Sequence, residues 1–144
     1  MSDAGAWIFL VGRVIFALNF VAIAAPGHFK MSKMMEGFAK QMRFPTPQIA
    51  GWPSGLWLAA CGLSIALGVW GDVGSLMIAV FVVIAGGFFH RFWEVEDAQK
   101  QTQKQLFWRN VTFLGAALIL FVFYATSGHD LALTLTDPVF DLRP

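Results

Sequence analysis

Cysteine is almost missing from this 144-residue chain, in which Cys61 stands alone. A single thiol forms no intrachain disulfide and supplies no Cys-x-x-Cys pair. That excludes the quinone-linked, disulfide-forming class of four-helix membrane enzymes, and with it any zinc site built on thiolates. Charge is scarce too. Asp, Glu, Lys and Arg make up 13% of the residues, where a soluble domain carries about 25%. The net charge of +1 provides no field that would draw nucleic acid. Acidic side chains are absent from the apolar stretches, which argues against a relay of intramembrane carboxylates. No nucleophile–base set is complete and no ligand cluster has metal spacing, so no catalytic residue and no metal ligand is assigned.

What the chain has is hydrocarbon. Hydrophobic residues reach 57%, and they gather in four stretches at about 7–25, 52–70, 74–93 and 106–125. Each approaches the roughly 20 residues that a 30 Å hydrocarbon layer requires. Lipid offers the backbone no hydrogen bonds, so each stretch must be helical. An all-α, integral membrane four-helix transmembrane bundle follows, expected to occupy 1–144 as one domain. Ala22-Ile23-Ala24 imitates a signal-peptidase site. Asp3, the lack of a basic residue ahead of the apolar run, and Arg13 within it are all wrong for a secretory signal, so the first stretch is expected to remain as a span.

Tryptophan supports the same boundaries. Trp7 and Trp70 fall at one set of span ends, Trp52, Trp93 and Trp108 at the other, and only Trp57 lies inside a span. Indole prefers the headgroup level, so two interfacial belts are drawn, with Tyr124 closing the fourth span. Lys30, Lys33, Lys40 and Arg43 occupy the first long connection; Arg91, Lys100 and Lys104 occupy the second, with Arg109 just inside the fourth span. The positive-inside rule then puts both connections in the cytoplasm and both termini outside.

The first connection, about 28–43, reads as an amphipathic interfacial helix, with Met31, Met34, Met35, Phe38 and Met42 on one side and Lys33, Glu36, Lys40 and Arg43 on the other. The Met-rich side suits burial in the membrane, or a surface that repacks around partners. Residues 94–104, with Glu94, Glu96, Asp97, Lys100 and Lys104, read as a solvated charged loop. The tail, 126–144, alternates Leu131, Leu133 and Leu135 with small or polar residues and suggests a short extended segment, with His129 solvated.

Arg13 is the most informative residue. About two turns inside the first span, its charge costs on the order of 3 kcal/mol unless it is paired or snorkels. Its stem either reaches the outer interface toward Asp72 or Asp130, or holds an anion, a lipid headgroup or a quinone oxygen inside the bundle. His28 and His90 share one membrane face. They either make interfacial hydrogen bonds or ligate a haem or chlorophyll-type pigment. Gly51 with Gly55, Gly86-Gly87 and Gly115-Ala116-Ala117 suit close helix packing, with Asn19 and Ser64 as interhelical hydrogen-bonding groups.

Gly12-Arg13, then Gly27 and Lys30, His90-Arg-Phe-Trp93 closing span three, and Trp108-Arg-Asn110 ahead of Leu114-Gly115 together resemble the DoxX family. The segment from His90 through Leu120 carries the closest likeness. One departure is that many relatives have a Glu in the second span, where Gly55-Leu-Trp-Leu-Ala-Ala-Cys61 has none. The resemblance implies a small four-helix protein of the bacterial inner membrane, in a family linked to redox assemblies. The candidate ligand, lipid or quinone contacts are Arg13, Lys30, His90, Trp93 and Asn110. The leading expectation is an accessory subunit of a respiratory or photosynthetic electron-transfer complex, with membrane lipids and other integral membrane subunits as partners. The alternatives are a quinone-reactive oxidoreductase subunit, in which Arg13, His28 or His90 meets a quinone carbonyl and Trp93 stacks on the ring, and a small lipid- or solute-handling protein.

Overall fold

In the computed structural model, which describes residues 2–127 and 130–143, the apolar stretches form an all-helical bundle. His129 lies outside the described residues. The first helix, α1 (Asp3–Lys30), is continuous over 28 residues but widens into a π-helical turn at Asn19–Ala24, just ahead of Pro26. Proline lacks an N–H and its ring crowds the preceding turn, and a wide turn is one way a helix accommodates it. A short amphipathic helix, α2 (Ser32–Gln41), follows. Then come α3 (Trp52–Leu67), α4 (Gly71–Phe89) and α5 (Asp97–Ser127). Among the described residues three helices are long and apolar enough to span a membrane, and α3 is a shorter apolar one. Its 16 residues measure about 24 Å. The 3-10 turn Pro47–Ala50 before it and the turn 68–70 after it add length at both ends.

Several boundaries differ from those read in the sequence. Residues 97–104, expected as a loop, form the first two turns of α5. Its 31 residues run to about 46 Å, so the helix carries its polar end well past the hydrocarbon. Residues 28–30, assigned to the interfacial helix, finish α1 instead. The apolar side of α2 is not wholly given to lipid. Ala39 is fully buried, and Phe38 and Phe44 pack on Phe88 and Phe89 at the end of α4.

Two kinds of seam hold the bundle. Where α3 meets α1 and α4, glycine lets backbones approach: a Cβ on Gly62 would lie 3.3 Å from the Ala17 carbonyl oxygen, and one on Gly74 would lie 3.0 Å from that of Cys61. Gly51 and Gly55 likewise receive Ser32 and Phe29. Where α1 faces α5, aromatic rings fill the space instead, Phe9 against Phe123 and Phe16 and Phe20 against Phe113. Between these seams lies a core of Ala17, Phe20, Leu58, Cys61, Ile65, Ile78, Ala79, Val82 and Ala117. Close packing does not explain every small residue, since Gly87 and Gly115 have nothing within 4 Å of an added Cβ. Ser64 does not bridge helices but closes the α3–α4 turn through Val69 O and Trp70 O, and Asn19 makes no side-chain hydrogen bond among the described residues.

Trp7 and Trp70 are exposed at the end that carries the α3–α4 turn, and Trp52, Trp93 and Trp108 are exposed toward the opposite end. Trp57 instead donates to Met77 O at 3.2 Å, a bond from α3 to α4.

The contrast between the glycines is testable by thermal unfolding in detergent. Gly74→Ala should destabilise the bundle by about 1–3 kcal/mol through overpacking. Gly115→Ala should be neutral or stabilising by roughly 0.5–1 kcal/mol, the helix-interior difference. Equal effects at the two positions would remove the close-approach role of Gly74.

Candidate functional site

The end of the bundle that carries the α3–α4 turn and the tail encloses two opposite charges. Arg13 is 1% exposed and Asp72 is 0% exposed. Arg13 sits on the face of α1 turned inward, four residues after Phe9, and its Cζ lies 5.4 Å from that ring's centroid, within the range of a cation–π contact. Its Nη1 donates to Tyr124 Oη at 3.5 Å, and its Nη2 donates to the Leu133 carbonyl. Tyr124 Oη in turn donates to Ile65 O at 2.9 Å. Asp72 lies in the first turn of α4, where an anion complements the helix dipole. Its Oδ2 accepts from the Phe140 N–H at 2.7 Å. Arg13 Nε and Asp72 Oδ1 are buried and have no hydrogen-bond partner among the described residues.

Two glycines shape this enclosure. Gly68 closes α3 in a Schellman turn, with φ of 66°, its N–H on Ile65 O and the Val69 N–H on Ser64 O. A Cβ there would lie 2.8 Å from Arg13 Nη1 and from Thr134. At Gly71 an added Cβ would fall 2.2 Å from Cζ of Tyr124, so the tyrosine ring rests on bare backbone.

The tail is the lid of this enclosure rather than the extended segment expected. Leu135 and Thr136 N–H groups both reach Gly68 O at 3.1 Å, the Trp70 N–H reaches Thr136 Oγ1 at 2.8 Å, and the Leu142 N–H reaches Ala125 O at 3.0 Å. Phe140 packs on Phe121, and Leu131 is buried.

Two readings change accordingly. Arg13 does extend to the end that holds Asp72, but it is buried there and bonds to the Tyr124 hydroxyl and the Leu133 carbonyl, not to Asp72 or Asp130 among the described residues. The apolar stretches also adjoin an acidic side chain after all. Asp72, placed between spans in the sequence, is fully buried in α4. Tyr124, Gly68, Gly71 and the tail were missed as partners, and Asp72 was read as an interfacial group rather than a buried one. The signal available was Gly68-Val-Trp-Gly-Asp72, a polar and glycine-rich break between two apolar runs.

The other candidates lie at the opposite end. His28 Nδ1 is 2.8 Å from Ala50 O and 2.6 Å from Ser54 Oγ, tying the end of α1 to the start of α3. His90 Nδ1 is 3.0 Å from Gln103 Oε1 on α5. Each imidazole serves a different helix pair, and no contact joins them among the described residues. Trp93 meets Phe107 edge-on, and Asn110 turns its amide onto Leu106 O in its own helix, beside Gly86. Lys30 is exposed. Among the described residues no three His, Cys, Asp or Glu side chains gather as a metal site would require.

The DoxX family model matches residues 8–91, more than half of the chain. The chain belongs to the DoxX family. The matched segment holds Arg13, Lys30, Asp72 and His90, and it ends before Trp93 and the Trp108-Arg-Asn110 motif. Nothing among curated proteins or solved structures matches this DoxX protein.

Two predictions follow from these contacts. Tyr124→Phe removes the acceptor of Arg13 Nη1 and the donor to Ile65 O together, and should cost about 1–3 kcal/mol. Thr126→Val, which loses only exposed intrahelical bonds to Val122 O and Phe123 O, should be nearly neutral. An unchanged midpoint for Tyr124→Phe would show the hydroxyl to be idle. His90, in the connection after α4, has its pKa lowered from 6.5 by burial first and by the Arg109 charge, against a raising bond from Gln103. The folded state therefore resists protonating it. Stability should be full above the unfolded value and fall as pH drops from about 6.5 toward the lower folded value. His90→Gln should flatten that fall; an identical pH profile would rule the coupling out.

Proposed function

We propose that this DoxX protein is an accessory integral membrane subunit of a larger electron-transfer complex, respiratory or photosynthetic, in a bacterial inner membrane. The observation that carries it is how the polar side chains within the helices are used. Arg13, Tyr124 and Trp57 bond across helices or to the tail, while Ser64 and Asn110 bond locally to the α3–α4 turn and to their own helix, so these groups are used by the chain itself. The long outer faces of α1 and α5 stay apolar and exposed, with Ile8, Ile15, Ile23, Ile119 and Val122 among them. Such faces meet lipid or the spans of a neighbouring subunit. The electron-transfer setting rests on the family resemblance, since fold alone confers no activity. The basic connections support an orientation with both termini outside.

One observation favours a second reading, a quinone-reactive subunit. The buried Arg13 Nε is a donor and Asp72 Oδ1 an acceptor, each without a partner among the described residues, and a quinone carbonyl would suit the first and a quinol hydroxyl the second. A head group held there is out of reach of His90 and Trp93, because α4 spans about 28 Å between the two ends.

Purification from native membranes in mild detergent separates the readings. The accessory role predicts comigration with a larger assembly; a lone monomer or homodimer sinks it. A quinone analogue that raises the unfolding midpoint of the isolated chain, and fails to do so in Arg13→Lys, would favour the second reading.

A further inference from the structure

The outward side of α2 carries cations that the bundle does not answer. Lys30 closes α1, Lys33 and Lys40 lie on α2, and Arg43 follows its last turn; all four are exposed. None forms an ion pair among the described residues. Glu36, the acidic residue of α2, is engaged by Ser32 Oγ at 3.3 Å. Met31 and Met34 are exposed on the same segment, so the surface is cationic and apolar at once. Its depth is set by the chain. The helix is tethered between two spans, and Phe38 and Phe44 seat it against the end of α4. Trp52, Trp93 and Trp108 mark the headgroup level toward that end.

Arg43 adds an independent observation. α2 ends in a Schellman turn, with the Arg43 N–H on Lys40 O at 3.0 Å and the Phe44 N–H on Ala39 O at 2.9 Å. The residue at the corner of such a turn takes a left-handed backbone, and Arg43 has φ of 55°. Glycine adopts it without strain, and does so in this chain at Gly68. A cation near a helix C-terminus is favourable, but Lys40 in the last turn already supplies one. The strained arginine therefore points to a use for its side chain outside the helix.

We infer that Lys30, Lys33, Lys40 and Arg43 bind the phosphodiester headgroups of anionic phospholipids, with Met31 and Met34 resting among the upper acyl chains. Basic segments beside a membrane helix recruit anionic lipid, each cation adding roughly fivefold in affinity. This surface is independent of the accessory role and of the Arg13 enclosure.

Thermal unfolding of the full chain in neutral detergent, with phosphatidylglycerol or phosphatidylcholine added, tests it. Phosphatidylglycerol should raise the midpoint above phosphatidylcholine, by a margin that shrinks as salt is added. Exchanging Lys30, Lys33 and Lys40 for Gln should remove most of the margin while leaving the phosphatidylcholine midpoint in place. Arg43→Gly should move the two readouts in opposite directions, giving a higher midpoint in phosphatidylcholine as the turn relaxes and a smaller phosphatidylglycerol margin. Inorganic phosphate should leave the midpoint unmoved. The proposal is overturned by equal midpoints in the two lipids, by an Arg43→Gly chain that keeps the whole margin, or by a phosphate shift that matches that of phosphatidylglycerol.

Discussion

A guanidinium placed two turns inside a membrane helix has to be solvated by protein, and the terminal end of this bundle is built around that need. Arg13 cannot be left bare in hydrocarbon, where a charge costs several kcal/mol or more. Its Nη1 and Nη2 donate to Tyr124 and to the Leu133 carbonyl, while the Phe9 ring lies within cation–π range. Each of those partners imposes a condition elsewhere. Tyr124 needs Gly71 beneath its ring, and Arg13 needs Gly68 beside it. The Leu133 carbonyl needs the tail folded over the α3–α4 turn, which the bonds at Gly68 O and Trp70 N secure. Asp72, reached by the Phe140 N–H, anchors the far part of the same segment. The tail thus engages both buried charges, a cation through a carbonyl and an anion through an amide.

The rest of the bundle follows from how closely backbones approach. Hydrocarbon gives no hydrophobic drive for helix association, so packing and hydrogen bonds must supply it. Glycines on α3 and α4 bring those helices near enough for Ser64, Cys61 and Ala17 to touch bare backbone. The α1–α5 seam works oppositely, with phenylalanine rings filling a wider gap. The π-helical turns at Asn19–Ala24 and Ala85–Phe89 fall just ahead of Pro26 and at the end of α4.

Hydropathy and the tryptophan belts made the helices, their number and their membrane setting legible, because lipid enforces length and helicity locally. Arg13 stood out for the same reason, as one charge in an apolar run. Its partners were not legible. Tyr124 and Leu133 lie 111 and 120 residues away in sequence, and no local pattern marks a carbonyl as an acceptor. The tail misled because alternating leucines imitate a strand, whereas in place its backbone bonds to turn carbonyls and a carboxylate. Asp72 was hidden by its position, since a residue between two spans reads as exposed until a folded tail covers it. The α5 extension was missed because polar residues 97–104 carry no hydrophobic period, and a helix propagating from an apolar segment needs none. The glycine pairs were half readable: Gly51 and Gly55 receive neighbours, while Gly115 has open space.

The dependence of the tail on Arg13 is most directly measured as a double-mutant cycle in unfolding free energy, combining Arg13→Leu with a chain ending at Ser127. If the tail is held by the buried guanidinium, the two changes are coupled by more than about 1 kcal/mol, because removing the tail from an Arg13→Leu chain forfeits little that the first change had not already lost. Strict additivity, with truncation equally costly in both backgrounds, would contradict the account.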